Sequence, residues 1–192
     1  YLAFRYIEND NVDFFEGLKH ENLPVVQEKE QILVWNSDDI DKELKSVFKK
    51  LEGQKLGLLL SGGMDSACLA SYMRGMDAYT FRFLDGDFQK EELARAEYYA
   101  KQYDMKLHYV DISSEHVETC IDPVLKSKNA PVHSIEPQLY RAAIQAKKDG
   151  IERLIVGESA DLLFGGMDQL LSKDWGFDEF MNRYIFTDPC LV

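Results

Sequence analysis

The chain has 192 residues, enough for one domain with a proper core, and its 45% hydrophobic and 29% charged content is normal for a globular protein. Its net charge of −12 argues against a nucleic-acid partner, because phosphates are bound by basic surfaces. There is no apolar run long enough for a membrane span and no signal-peptide pattern. Three scattered cysteines without a C-x-x-C pair argue against disulfides, zinc and iron–sulfur clusters, so we expect a cytoplasmic protein with reduced thiols and no membrane partner.

The predicted elements alternate between helices and strands after a short β region at residues 1–35, with strands at 1–8 and 30–35. Helices are predicted at 39–51, 64–73, 91–103, 115–125, 135–148 and 178–186. Strands are predicted at 56–60, 78–84, 106–110 and 152–156. Residues 126–134 are predicted to form a loop that ends at Ser134, the N-cap of the next helix. This alternation predicts an α/β fold, a doubly wound parallel sheet with helices on both faces.

The segment KLGLLLSGGMDSACLASY joins an apolar strand to a helix through Ser61, Gly62 and Gly63. The first N–H groups of a helix have no internal partner and the dipole is positive there, so such a turn can bind an anion. The two glycines can aim successive N–H groups at one phosphate, and Ser61 and Ser66 add hydroxyl donors. Asp65 would repel a bare phosphate, which predicts a Mg²⁺ ion between them. The alternative is an ordinary small-residue turn.

The fourth predicted strand ends in a second loop with a similar order of residue types, GESADLLFGG, which starts at Gly157. Ligands of open parallel sheets bind at the carboxyl ends of the strands, where the strand order switches. Asp161 is therefore expected near Asp65, and two carboxylates facing a triphosphate suit Mg²⁺. The alternative is an ordinary helix start with Asp161 in its first turn.

These two loops resemble known motifs. SGGMDS looks like the pyrophosphate loop of the N-type ATP pyrophosphatases, and GESADLLFGG resembles the G-E-G-[AS]-D-E-L-F-G-G segment of their asparagine-synthetase-like branch. The resemblance covers about residues 38–186 and implies an adenine nucleotide alpha hydrolase-like fold. It also implies ATP and Mg²⁺ as cofactors and an amide-forming ligase or amidotransferase, which adenylates a carboxylate and releases pyrophosphate. The implied partners are ATP and a carboxylate or amino-acid-like acceptor, and the sequence shows neither an ammonia source nor a glutaminase.

The resemblance also assigns residues. Asp65, Asp161 and Glu158 are the expected catalytic residues, and Asp65 and Asp161 are the expected metal ligands. The expected cofactor-binding residues are Leu60, Ser61, Gly62, Gly63, Asp65, Ser66, Phe81, Arg82, Phe83, Gly157 and Glu158. Among these, Leu60 and the strand 81–83 would flank the adenine, while Arg82, a charge within a strand, is a candidate for contact with phosphate or substrate.

Two departures from the family lie close to the expected site. Leu162 stands where the family has Glu, and Lys126 and Lys128 stand roughly where it has an acidic residue before the substrate helix. His133 and Glu136 lie nearer the start of that helix, and His133 is either a substrate ligand or an ordinary loop histidine. The identity of the acceptor is therefore left open between aspartate and another carboxylate or amino-acid-like molecule.

The sequence also lacks the family's downstream helical lysine and its N-terminal glutaminase cysteine. We therefore expect a piece of a longer protein, in which residues 1–35 end a preceding domain and residues 36–192 form a synthetase-like domain truncated at its C-terminus. Two other functions stay open. One is a tRNA-modifying member of the group, against which the acidic charge argues; the other is an ATP-binding module that has lost catalysis, which Leu162 favours.

Overall fold

The computed structural model of the chain describes residues 13–16, 18–19, 26–86, 90–128, 132–158, 160–161 and 173–184. The chain divides into two compact units. The larger unit consists of Val25–Val124 and His133–Glu158, and the smaller of Tyr1–Pro24, Leu125–Val132 and Ser159–Val192. The expected domain division at residue 35 stays a prediction.

Strands and helices alternate through the larger unit. In the smaller unit, strands β1 (Asp13–Phe15) and β2 (Leu18–Lys19) form an antiparallel pair, and a helix spans Phe177–Tyr184, called α6 below. The other strands are β3 (Leu56–Leu59), β4 (Asp77–Phe83), β5 (Lys106–Ile112) and β6 (Arg153–Ile155). The other helices are α1 (Ser37–Lys50), α2 (Met64–Tyr72), α3 (Lys90–Gln102), α4 (Ser114–Lys128) and α5 (Glu136–Lys148). No helix within the described ranges is both long and apolar enough to cross a membrane.

The four strands β3 to β6 form one parallel sheet in the order β5-β4-β3-β6. Side chains alternate between its faces, as the pleat requires. On one face Leu58 and Leu60 pack with Met73, Ala96 and Ala100, which lie on or next to α2 and α3. The other face packs against α4 and α5 through Leu59, Tyr79, Val110, Val117, Leu139, Ala142 and Ala146. The expected α/β parallel sheet with helices on both faces is confirmed.

The strand order places a switch point beside β3. The chain runs outward from β3 through β4 to β5, then returns to lay β6 on the other side of β3. The strand order therefore reverses between β3 and β6, and the crevice at the carboxyl ends of these two strands is the usual ligand position in such sheets.

Three local predictions were wrong. Residues 30–35 form no strand: a 3₁₀ turn spans Glu28–Glu30, residues 31–35 have no regular structure, and Trp35 is 83% exposed. The sequence QILVW has strand-forming residues, but a strand also needs a paired neighbour, and residues 31–35 take part in no strand pairing that the structure describes. The other strand predicted for this region, at residues 1–8, lies outside the described residues.

The other two errors concern α4 and α5. Helix α4 continues through Pro123 to Lys128, so the predicted loop does not begin at residue 126, and residues 129–131 lie outside the described part. Ser134 is not the N-cap of α5: Ile135 holds that position without a side-chain cap. Instead the Glu136 carboxylate accepts the backbone N–H of His133 at 2.7 Å, which ties the incoming chain to the first turn of the helix.

Candidate functional site

A cleft of about 300 Å³ lies at the carboxyl end of the sheet in the larger unit. Four segments line it: the turn between β3 and α2, the end of β4 with the start of α3, the first turns of α5, and the loop after β6. Its lining includes eight of the residues predicted from the sequence, namely Ser61, Gly63, Asp65, Ser66, Phe81, Phe83, Gly157 and Glu158. The volume is at the lower end of the range for ligand pockets.

Gly62 packs the turn closely against α3. Its φ is +82°, and a Cβ there would lie 2.5 Å from the carbonyl oxygen of Glu92 and 3.0 Å from the backbone nitrogen of Ala96. The guanidinium of Arg95 donates to the carbonyl oxygen of Gly62 at 3.2 Å. Both the backbone conformation and the contact with α3 therefore require glycine at this position.

The two serines of the turn hold it together. The hydroxyl of Ser66 donates to the carbonyl oxygen of Gly63 at 3.1 Å, so the 3.1 Å contact between the two Oγ atoms is donated by Ser61. The backbone N–H groups of Ser61 and Gly63 donate in turn to Ser66 Oγ and Ser61 Oγ, each at 3.2 Å. In this arrangement neither hydroxyl proton is directed at a ligand. The donors that suit an anion are the backbone N–H groups at the start of α2, whose N-cap Gly63 supplies no side-chain cap.

The loops after β3 and β6 touch at Gly157. A Cβ on this residue would lie 3.3 Å from the backbone nitrogen of Ser66 and 3.4 Å from Cβ of Asp65. The backbone of the second loop thus lies against the first turn of α2. The predicted meeting of the two loops at the switch point is what the structure shows for Gly157 and Glu158.

Two carboxylates line the cleft. Asp65 and Glu158 are exposed, and neither carboxylate has an ion pair or hydrogen bond with a residue that the structure describes. Among the described residues, no three or more His, Cys, Asp or Glu side chains gather into a metal site. Two carboxylates fit Mg²⁺, which takes one or two protein ligands and completes its shell with phosphate oxygens and water. Asp161 is exposed in the smaller unit, so its position beside Asp65 stays a prediction.

The strand β4 presents alternate residues to different partners. Phe81 and Phe83 line the cleft, whereas the guanidinium of Arg82 pairs with the Asp111 carboxylate through contacts of 2.6 Å and 3.0 Å. Arg82 also lies 4.9 Å from the ring centre of Tyr109. The structure therefore does not bring Arg82 into the cleft. Leu60 is fully buried at the end of β3, where its N–H donates to the carbonyl oxygen of Tyr79 at 2.7 Å.

One wall of the cleft, formed by the first turns of α5, was not predicted from the sequence. Ile135, Gln138 and Leu139 line it, while His133 does not. The Nδ1 atom of His133 instead accepts the N–H of Ile135 at 3.3 Å. One signal in the sequence could have revealed the wall. Gln138 occupies a position of the apolar stripe of α5, three residues after Ile135 and four before Ala142, and a polar residue in such a stripe needs a partner.

Together the fold and the cleft define an α/β domain with a glycine-lined, acidic ligand site at the switch point of a parallel sheet. Residues 45–184 match the pattern of the asparagine synthase family, and the chain belongs to this family. It is 30% identical over 166 residues to a putative glutamine-hydrolysing asparagine synthetase of Methanocaldococcus jannaschii. That match covers 84% of this chain but 30% of the relative, so the chain spans about a third of the curated relative.

Two solved structures are similar at lower identity. A glutamine-dependent NAD⁺ synthetase from Acinetobacter baumannii matches with a TM-score of 0.43 and 16% identity, over 77% of this chain and 29% of that one. A U34-tRNA thiolase from Methanococcus maripaludis, which carries a [4Fe-4S] cluster, matches with a TM-score of 0.42 and 16% identity, over 71% and 52% of the two chains.

Proposed function

We propose that this chain is the ATP-binding part of a ligase that adenylates a carboxylate and releases pyrophosphate, so that a nitrogen nucleophile can displace AMP. The observation that carries the proposal is the contact between the SGGMDS turn and the Gly157–Glu158 loop at the switch point. Membership of the asparagine synthase family supports the same reaction class.

The cleft supplies what this chemistry needs from the protein. The N–H groups at the start of α2 would hold the pyrophosphate portion of ATP, since they are backbone donors at the positive end of a helix dipole. Mg²⁺, held by Asp65 with Asp161 or Glu158, would neutralise the charge that develops on the leaving pyrophosphate. The residues themselves orient the nucleotide and stabilise charge, which is the main contribution a protein makes to phosphoryl and nucleotidyl transfer.

The acceptor is a carboxylate or an amino-acid-like molecule. The two cleft carboxylates, Asp65 and Glu158, favour an acceptor that carries a cationic group in addition to its carboxylate. Cytoplasmic location and the absence of nucleic-acid and membrane partners stay predictions.

The test is Mg²⁺-dependent exchange of labelled pyrophosphate into ATP, measured with the full-length protein across a panel of amino acids and other carboxylates. We expect Asp65→Asn to lower the exchange rate by about 100-fold, because one group that stabilises the transition state is removed. Asp38→Asn, an exposed carboxylate at the start of α1, is the control and should retain the wild-type rate. Full exchange in Asp65→Asn would contradict the metal role, and ATP binding without exchange for any acceptor would identify a module that binds nucleotide only.

A further inference from the structure

Arg95 on α3 contacts the SGGMDS turn without lining the cleft. Its Nε donates to the carbonyl oxygen of Gly62 at 3.2 Å. No other described residue donates a hydrogen bond to this oxygen. Gly62 is buried, so Arg95 supplies the partner that a buried backbone carbonyl requires.

The bond from Arg95 determines which way the peptide between Gly62 and Gly63 faces. In a planar trans peptide the C=O and N–H groups point in opposite directions. Because the carbonyl oxygen of Gly62 points towards α3, the N–H of Gly63 points away from α3. That N–H donates to Ser61 Oγ at 3.2 Å, and Ser61 and Gly63 both line the cleft. The N–H of Gly63 therefore lies on the cleft side of the turn.

A peptide between two glycines needs such a bond more than other peptides do. Neither Gly62 nor Gly63 has a Cβ that would restrict rotation of the unit between them. A rotation of about 180° would turn the Gly62 carbonyl oxygen towards the cleft in place of the N–H, and its partial negative charge would repel a phosphate. The orientation of this one peptide therefore decides whether the turn attracts or repels an anion.

We propose that Arg95 is a positioning residue: by holding the Gly62 carbonyl oxygen against α3, it keeps the N–H of Gly63 on the side that binds the pyrophosphate portion of ATP. The inference rests on the proposed function, since ATP supplies the phosphates. The alternative is direct attraction of phosphate by the charge of Arg95. The side chain is 51% exposed and its Nη1 lies 3.9 Å from the Glu91 carboxylate, so water and an opposite charge both weaken that attraction.

The experiment compares two substitutions of Arg95 in the full-length protein. Calorimetry with Mg²⁺ present gives the dissociation constants of ATP and of inorganic pyrophosphate. Arg95→Gln removes the charge but keeps an N–H donor at the position of Nε, because this nitrogen follows Cδ in both side chains. Arg95→Met removes the donor and the charge. We expect Arg95→Met to bind both ligands about tenfold more weakly, since loss of one hydrogen bond populates the other peptide orientation, and Arg95→Gln to stay within about twofold of the wild type.

Arg74→Met is the matched control for the loss of an arginine charge. Arg74 lies just beyond the carboxyl end of α2, and its guanidinium is 4.9 Å from the ring centre of Tyr103. The cleft is at the opposite end of this helix. Arg74→Met should therefore retain the wild-type affinity for both ligands.

The outcomes separate this inference from the function on which it rests. If the wild-type protein binds neither ATP nor pyrophosphate, both fail. If it binds them and Arg95→Met binds them equally tightly, the role of Arg95 is overturned and the proposed function stands. If Arg95→Gln loses as much affinity as Arg95→Met, the charge is responsible and the positioning role is overturned. Affinity lost in Arg95→Met and retained in Arg95→Gln supports the role, whereas pyrophosphate exchange tests the proposed function alone.

Discussion

The carboxylates that line the cleft and those at the amino end of the parallel sheet differ in whether they have a protein partner. At the carboxyl end, Asp65 and Glu158 face the cleft, and neither carboxylate is paired with another described residue. Towards the amino end, Asp77 lies 2.7 Å from Nε2 of His108, and Asp149 accepts the hydroxyl of Tyr79 at 2.9 Å.

The difference indicates which carboxylates are held for the fold and which are available for a ligand. At the amino end, charged groups join the segments that precede β3 and β6. The Nζ of Lys55 donates to the carbonyl oxygen of Asp149 at 2.7 Å, and the backbone N–H of Lys55 donates to the Glu152 carboxylate at 2.7 Å. At the carboxyl end two like charges line one cleft, an arrangement that a cation stabilises. Substitutions of the cleft carboxylates should therefore affect pyrophosphate exchange, whereas substitutions at the amino end should affect the free energy of unfolding.

The largest effect is expected at Gly62. Gly62→Ala forces a side chain into a left-handed conformation and against the backbone of α3, so we expect a loss of about 3 kcal/mol of unfolding free energy together with the loss of ATP binding. Gly53→Ala is the matched control, because Gly53 has a similar φ of +84° but nothing within 4 Å of the added Cβ. It should lose about 1 kcal/mol, the cost of the conformation alone. If Gly62→Ala and Gly53→Ala lost the same unfolding free energy in urea, the contact of Gly62 with α3 would not constrain the turn.

The next pair of variants tests the contrast directly. Glu158→Gln should lower pyrophosphate exchange by about 100-fold and change stability by less than about 0.5 kcal/mol, because an exposed cleft carboxylate without a protein partner is removed. Asp77→Ala should lower stability by about 1–2 kcal/mol, since it removes the partner of His108, and should leave exchange unchanged. If both variants lowered pyrophosphate exchange, or both lowered the unfolding free energy, the proposed division between the cleft and the amino end would be wrong.

A smaller effect is expected at high pH from Tyr79. Burial, and then the hydrogen bond to Asp149, raise the pKa of Tyr79 above its ordinary value of 10.0. The folded state favours the neutral phenol, so this contribution to stability is complete below about pH 10 and decreases as the pH rises further. Tyr79→Phe should cost about 1 kcal/mol at pH 8 and should weaken the decrease above pH 10. Tyr98→Phe, an exposed tyrosine, is the control for unfolding curves recorded from pH 8 to 11.

The smallest effect is expected at Arg82. Arg82→Gln removes an ion pair whose side chains are 45% and 37% exposed, which should lower stability by at most about 1 kcal/mol. ATP affinity should not change, because the guanidinium is held by Asp111 outside the cleft. A tenfold loss of ATP affinity in calorimetry would restore the prediction that Arg82 contacts the nucleotide.

The sequence was sufficient to predict the structure of those segments whose conformation depends on nearby residues in the chain. The strand, glycine turn and helix around Gly62 follow from an apolar run, two glycines and a run of helix-forming residues, all within twenty positions of the chain. The alternation of such units then predicted the parallel sheet, in which the β3–β6 pairing brings Gly157 to Asp65, while the predicted position of Asp161 beside Asp65 stays a prediction.

The errors occurred where a distant partner decides the structure. Arg82 was assigned to the site because a charge in a strand needs a partner, but the partner is Asp111, its direct neighbour on β5. Residues 31–35 have strand-forming side chains and no strand pairing that the structure describes. Gln138 was passed over because its apolar surroundings come from β4 as well as from its own helix.

The pairing of β3 with β6 also has a consequence for synthesis. Lys55 and Glu152, which join the two strands at their amino ends, are 97 positions apart in the chain. Closing so long a loop is slow relative to local pairing. The SGGMDS turn leaves the ribosome about 5–20 s before its partner loop, at a synthesis rate of about 5–20 residues per second. Before β6 is synthesised, a nascent chain therefore lacks one wall of the cleft, and the proposed nucleotide binding would require this strand to be in place.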